Sequence, residues 1–224
     1  MKAMLLAAGR GERMRPLTDT CPKPLLKVAG RTLIEWHLEK LAQAGIRDVV
    51  INLSWLGEMI AGALGDGSRH GLAIQYSREP WPALETGGGL VQALPLLGEE
   101  PFLLVNGDVF TDIDFTSLRI APDDLAHLVL VPNPEHHPRG DFSLDEDGRI
   151  RTEGGERLTY SGVALLRPEF FAGASPGRFP LLPWLLKALD AGRLGGQKHG
   201  GIWLDIGTPE RLAQLDATLS RVRG

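Results

Sequence analysis

Disulfides are the first thing this 224-residue sequence lacks, since its single cysteine, Cys21, has no partner within the chain. A lone thiol suits a reducing compartment. A chain this long can bury roughly 70% of its unfolded surface and needs no staple. Positive charge is not in excess: Lys and Arg total 24 against 28 for Asp and Glu, a net charge of −4. That argues against a general nucleic-acid binder. Long apolar runs are missing too, and none approaches the roughly 18 residues of a membrane span. The apolar start, residues 1–9, precedes Arg10, Arg13 and Arg15, the reverse of a secretory signal. A cytoplasmic protein without membrane or nucleic-acid partners is expected. Gly-x-Ser-x-Gly, Gly-Lys-Ser/Thr and zinc-type histidine spacings are also absent.

Glycine, in contrast, is abundant: 28 residues beside 16 prolines, with no low-complexity repeat. Most glycines punctuate an alternation of strand and helix. Residues 2–7 form a short apolar run ending in Ala8-Gly9, as a buried parallel strand does, and residues 48–52, 72–76, 102–105 and 125–131 repeat the pattern. Helical spacing lies between them, in Ile34, Leu38, Leu41 and Ala42 before Gly45, then over 56–64 and 86–97. In the second half a hairpin is predicted over 142–151, strands over 160–166 and 202–206, and helices over 181–191 and 209–221. This order predicts an α/β fold of Rossmann-like type. A mostly parallel, mixed central sheet would carry helices on both faces and a small antiparallel add-on, all in one domain. Ligands of such sheets bind beyond the carboxyl ends of the strands. The polar strand ends here are Ala8-Gly9, Asn52, Asn106-Gly107-Asp108 and Asp205.

The first strand runs into Ala8-Gly9-Arg10-Gly11-Glu12-Arg13-Met14, small residues that let backbone N–H groups approach a phosphate, with arginines beside them. A dinucleotide fingerprint would place a third glycine at Met14 and lead straight into a helix. Pro16, Pro22 and Pro24 exclude that helix. A tight strand-to-loop turn explains the glycines but not the arginines. Downstream, Pro22 and Pro24 flank Lys23, and the expectation is an extended backbone that holds its ammonium in place. Asp108 and Asp205, each at a strand end, offer oxygen ligands for Mg²⁺, which takes one or two carboxylates plus substrate phosphates. Asp112 and Asp114 read as loop or helix-start residues, Asp145 and Asp147 as turn formers, and His136-His137 as a solvated loop.

Four segments together resemble the sugar-1-phosphate nucleotidyltransferases. They are Leu6-Ala7-Ala8-Gly9-x-Gly11-x-Arg13-Met14-x-Pro16-Leu17-Thr18 with Pro22-Lys23-Pro24-Leu25, then Leu84-Glu85-Thr86-Gly87-Gly88, Asn106-Gly107-Asp108, and Trp203 to Pro209. The resemblance implies in-line attack of a sugar-1-phosphate oxygen on the α-phosphorus of a nucleoside triphosphate. Among the short members the chain is most similar to uridylyltransferases of bacterial cell-wall (peptidoglycan) recycling. UTP is therefore the expected nucleotide, with guanylyl or thymidylyl transfer to a hexose 1-phosphate as the alternative. By resemblance, Arg13 and Lys23 are catalytic. Ala8, Gly9, Gly11, Glu12, Arg13, Lys23, Glu79, Leu84, Glu85, Thr86 and Gly88 hold the nucleotide. Asn106, Gly140, Glu153 and Ser161 hold the sugar phosphate, and Asp108 and Asp205 hold Mg²⁺. Residues 1–115 would form the nucleotide part and 116–224 the sugar-phosphate part, as a monomer or homodimer. The sequence departs from the family twice. Glu85 replaces a usual glycine, and Glu153-Gly154-Gly155 stands where relatives carry Glu-Lys-Pro. The lysine that would bind the sugar phosphate is therefore missing, leaving Arg151, Arg157 and Lys198 as candidates.

Overall fold

A computed structural model describes residues 1–223 of the protein. In chain order it contains β1 (Ala3–Leu6), the short hairpin β2 (Lys27–Val28) and β3 (Arg31–Thr32), α1 (Leu33–Gln43), β4 (Asp48–Leu53), α2 (Gly57–Leu64), β5 (Ala73–Arg78), α3 (Glu85–Leu97), β6 (Phe102–Asn106) and β7 (Val109–Thr111). There follow β8 (Ala126–Val131), β9 (Phe142–Leu144), β10 (Ile150–Arg151), β11 (Arg157–Leu166), α4 (Leu182–Asp190), β12 (Leu194–Lys198), β13 (Trp203–Asp205) and α5 (Pro209–Arg223). Among the described residues no helix is long and apolar enough to cross a membrane.

One sheet runs β10-β9-β11-β6-β1-β4-β5, with β8 paired to β11 and β12 to β8. The strands β6, β1, β4 and β5 are parallel, and β11 joins β6 antiparallel. The fold is thus the mixed α/β sheet expected. Its apolar strands are explained by the cores they divide. Ala3 and Leu5 enter one core and Met4 the other; Leu103 and Val105 oppose Phe102 and Leu104; Val163 and Leu165 oppose Ala164 and Leu166. Successive side chains point to opposite faces, so a strand covered on both sides must be apolar throughout. Ile34, Leu38 and Leu41 of α1 and Ile60 and Leu64 of α2 fill the first core. Leu90, Ala93 and Leu97 of α3 and Leu185 and Ala188 of α4 fill the second. A third, smaller cluster seats Leu215 of α5 on Val28, Leu33 and Ile206.

Local signals set the helix ends. Thr32 and Glu35 form a reciprocal capping box at the start of α1, and Gly45 follows its end at φ +76°. Four strands lie outside the sequence expectations: the short pair β2 and β3, β7 and β12. β12 contains Gly195-Gly196, which reads as loop, yet it runs parallel to β8 at the sheet edge. Its glycines are required by packing: a Cβ on Gly195 would lie 2.4 Å from Asp124 Oδ2, and one on Gly196 2.5 Å from Ile150 Cδ1. β7 is too short to signal itself. It pairs with β13 in a separate two-stranded ladder, so the strand expected over 202–206 is not part of the main sheet.

Candidate active site

The carboxyl ends of β1, β4 and β6 open on a cavity of about 380 Å³, walled by the 7–13 loop, Lys23, Asn52, Glu79, Asn106, Asp108 and Gly207. The loop after β1 is built from short-range contacts. Gly11 adopts φ +67° and starts a 3₁₀ turn over Glu12–Met14, a conformation that costs most other residues about 1 kcal/mol. The Thr18 hydroxyl donates to the Gly11 carbonyl at 2.9 Å. At Gly9 an added Cβ would meet nothing within 4 Å, so the backbone there is open to a ligand.

The three arginines of the loop part ways. Arg10 donates to the Thr18 carbonyl at 2.6 Å and to Asp19 at 2.7 Å, and its guanidinium lies 3.9 Å over the ring of Trp55. Arg15 also pairs with Asp19, at 2.9 Å. These two hold Asp19 ionised below the ordinary carboxylate range, the Arg10 hydrogen bond contributing most. Only Arg13 lines the cavity. Of the charge expected from all three, only that of Arg13 is placed on the cavity wall.

Lys23 is 8% exposed, and its Nζ sits 2.8 Å from Asp108 Oδ2. Its backbone corrects the extended conformation expected between two prolines: Lys23–Leu25 is a 3₁₀ turn, closed by Leu25 N–H to the Pro22 carbonyl at 2.9 Å. Pro24 is tolerated because the first turn of a helix leaves its N–H groups unpaired anyway. The turn still fixes the ammonium.

On the expected base side, Glu79 is buried, and its two carboxylate oxygens accept from Asn52 Nδ2 at 2.6 Å and from the Leu84 N–H at 2.8 Å. Burial pushes its carboxyl pKa up, against the pull of those two bonds. Asn52 also accepts the Ala7 N–H at 2.7 Å. The strand-end asparagine thus joins the 7–13 loop to the 79–84 loop, a role its sequence position alone did not reveal. Glu85, where the resemblance expects glycine, takes φ +61° and pairs with Arg178 at 3.1 Å. Glu12, Glu85 and Thr86 line the cavity with Ala8. Leu84 and Gly88 do not. Leu84 closes the loop through its backbone, while Gly88 donates its N–H to the Phe179 carbonyl at 3.1 Å. A Cβ on Gly88 would lie 2.0 Å from the Gly177 carbonyl oxygen. It is a close-packing glycine between α3 and the 177–180 segment.

Of the four residues expected around the sugar, only Asn106 lines the cavity. Ser161 is buried at an irregularity of β11, where its hydroxyl accepts the Val163 N–H at 3.1 Å and its carbonyl accepts Trp203 Nε1 at 2.8 Å. Gly140, at φ +58°, leaves no room for a Cβ beside the Leu158 carbonyl. Glu153 stands exposed in a loop away from the cavity wall. These three shape or flank the second half without reaching the cavity.

Asp108 and Asp205 come together at one end of the β7–β13 ladder: Asp205 pairs with Val109, and the Ile206 N–H donates to the Asp108 carbonyl at 2.7 Å. Each carboxylate already holds a cation of the chain. Asp108 takes Lys23; Asp205 takes His136 Nε2 at 3.0 Å on one oxygen and Arg211 on the other. His136, read from the sequence as a solvated loop residue, is therefore part of this end of the site. Its only sequence signal was a histidine in a proline-rich loop. No group of three or more His, Cys, Asp or Glu residues gathers into a metal cage among the described residues. Two carboxylates, Asp108 on the cavity wall and Asp205 beside its Gly207 edge, fit a hard divalent cation that takes its other ligands from phosphate and water.

Comparison with known proteins agrees with this geometry. The family model for nucleotidyl transferases matches residues 2–152. The chain is 57% identical to the N-acetylmuramate alpha-1-phosphate uridylyltransferase of Neisseria meningitidis serogroup B, over 97% of each chain. It is 37% identical to the protein of that name from Caulobacter vibrioides, over 97% of this chain and 96% of the other. Among solved structures, HddC from Yersinia pseudotuberculosis superposes with a TM-score of 0.80 at 21% identity, covering 97% of this chain and 99% of that one.

Proposed function

The chain belongs to the nucleotidyl transferase family, and on that premise we propose that it moves the uridylyl group of UTP onto N-acetylmuramic acid α-1-phosphate, releasing pyrophosphate. The observation that carries the nucleotidyl-transfer reading is the pair of buried Lys23 with the partly exposed Asp108, beside a glycine loop whose one cavity-lining arginine is Arg13. Uracil and muramate are carried over from the names of the uridylyltransferase relatives; a place in cytoplasmic peptidoglycan recycling is part of the same proposal.

In this reading one phosphate oxygen of the sugar 1-phosphate attacks the α-phosphorus of UTP. The bond from that phosphorus to the bridging oxygen breaks, and pyrophosphate departs with the electron pair. No proton need move. Catalysis then rests on positioning and on charge. Backbone N–H groups of residues 9–11 and the Arg13 guanidinium hold the triphosphate and stabilise the leaving pyrophosphate. Lys23 sets its ammonium between the reacting phosphates, offsetting the repulsion that otherwise keeps two anions apart. Asp108 and Asp205 would hold the divalent cation, which we take to be Mg²⁺. When bound, it supplies Lewis-acid charge at the phosphoryl oxygens. Asn52 and Glu79 keep the triphosphate and base loops in register. Residues 1–115 provide the nucleotide side and 116–224 the sugar side of one catalytic unit.

A pyrophosphate-release assay crossing UTP, dTTP, GTP and CTP with the 1-phosphates of N-acetylmuramate, N-acetylglucosamine, glucose and mannose tests this. The expected outcome is highest kcat/KM for UTP with N-acetylmuramate 1-phosphate. Preference for GTP or dTTP with a hexose 1-phosphate would replace the substrates but keep the reaction. Pyrophosphate from no pair would remove the reaction itself.

A further inference from the structure

The attacking sugar 1-phosphate is a dianion that must approach a second anion, so the sugar side needs a donor of its own beyond Arg13 and Lys23 on the nucleotide side. The three cations offered by the sequence are paired with groups that do not line the cavity. Arg151 pairs with Asp145 at 2.9 Å, and Lys198 with Glu156 at 2.5 Å. Arg157 spends its guanidinium on the carbonyls of Arg139, Thr152, Gly140 and Asp141.

His136 is differently placed. Its Nε2 lies 3.0 Å from Asp205 Oδ1. The other Asp205 oxygen and Arg13 Nη2 both fall within 3.2 Å of the point where a Cβ on Gly207 would stand. Gly207 and Arg13 line the cavity, and His136 is joined to that edge through Asp205, although neither His136 nor Asp205 lines the cavity itself. The loop that carries it is fixed. Asn133 Nδ2 donates to the Pro138 carbonyl at 3.1 Å and the Arg157 carbonyl at 3.0 Å, and Thr159 donates to Asn133 Oδ1 at 2.8 Å. The His137 N–H closes on the Pro134 carbonyl at 2.9 Å. His136 therefore sits at the tip of a braced turn, with its side chain 38% exposed and available to a ligand. A donor held beforehand loses little entropy when it binds.

We propose that His136 binds the phosphate of the sugar 1-phosphate, donating Nε2–H to a phosphate oxygen in place of the lysine absent from the Glu153-Gly154-Gly155 segment. Asp205 is its resting partner and sets the ring's direction. The inference rests on the sugar-1-phosphate reading above and names one residue of that subsite.

The test uses the full chain with His136→Ala, His136→Gln and His136→Lys. In pyrophosphate release, His136→Ala should raise KM for the sugar 1-phosphate about tenfold or more, the worth of one hydrogen bond to a charged group. KM for UTP should stay within about twofold of wild type. His136→Lys should recover most of the loss, since an ammonium also donates to phosphate. Calorimetric titration of each variant with N-acetylmuramic acid 1-phosphate, in the presence of a non-hydrolysable UTP analogue, reads the same contact without turnover. Equal affinity of wild type and His136→Ala in that titration would overturn the proposal. So would a variant that changes only the concentration of Mg²⁺ required, because His136 would then act solely through Asp205. A wild type that binds the sugar 1-phosphate but forms no pyrophosphate leaves the titration as the arbiter for His136 and defeats only the reaction assigned above.

Discussion

On the side of the cavity proposed to hold the triphosphate, Thr18 holds the Gly11 carbonyl seven residues away and Arg10 reaches Asp19 nine residues away. On the sugar side, Trp203 donates to the Ser161 carbonyl across 42 residues, and His136 and Arg211 meet at Asp205 from a loop after β8 and from α5. The loop of the first wall is closed within one stretch of chain, with Asn52 and Trp55 bracing it from further along; the second wall exists only where separate elements converge. The ladder of β7 and β13 joins them, because it sets Asp108, with Lys23 attached, beside Asp205. Short-range construction makes the phosphate loop legible as a motif. Long-range construction lets the sugar wall use residues that carry no pattern.

The largest expected effect lies at the join. Asp108→Asn should lower kcat on the order of 10² to 10⁴-fold with little change in thermal midpoint, as loss of a charge that acts on the transferred phosphoryl group predicts. Lys23→Ala should do likewise. Turnover near that of wild type in either purified variant would place the chemistry elsewhere and dissolve the contrast between the walls.

A pair of glycine substitutions sharpens the comparison at the next level. Gly88→Ala would drive a methyl to within 2.0 Å of the Gly177 carbonyl oxygen, a backbone atom that cannot swing aside. A stability loss of about 1–3 kcal/mol is expected in denaturant unfolding. Gly9→Ala meets nothing within 4 Å, so it should leave unfolding unchanged and raise KM for UTP. The opposite result for the pair would make Gly9 the packing residue and Gly88 the ligand-facing one.

The smallest effect should come from the brace outside the cavity. Trp55 carries Arg10 on its face, donates Nε1–H to the Thr18 carbonyl at 3.0 Å, and packs at a tilt against Trp81 with ring centroids 5.3 Å apart. Trp55→Ala removes a cation–π contact worth about 1 kcal/mol and should raise KM for UTP about fivefold. If KM for the sugar phosphate rose equally, the two walls would not be separately built.

Much of the fold could be read from residue order. The apolar runs that became β1, β4 and β6 are buried on both faces, and burial on both faces removes the polar alternation that would blur them. β12 escaped because Gly195 and Gly196 carry no strand propensity, and only the neighbouring Asp124 and Ile150 explain why nothing larger fits there. The same division runs through the site. Arg13, Lys23 and Asp108 were recognisable because each follows a strand or proline signal within a few residues. Gly88, Ser161 and Gly140 belong to packing, and Glu153 stands outside the cavity, although their positions in the motifs matched.

By itself, then, the sequence determined the alternating α/β order, the glycine phosphate loop and the pair of acidic strand ends, because strand periodicity and turn chemistry act over short spans of chain. Tertiary structure decided the rest. It turned Arg10 and Arg15 away to Asp19 and left Arg13 on the cavity wall. It spent Arg151, Arg157 and Lys198 on contacts of their own and carried His136 to Asp205. Which of several like-charged side chains reaches a cavity depends on the partners it meets in space, and no local pattern records them.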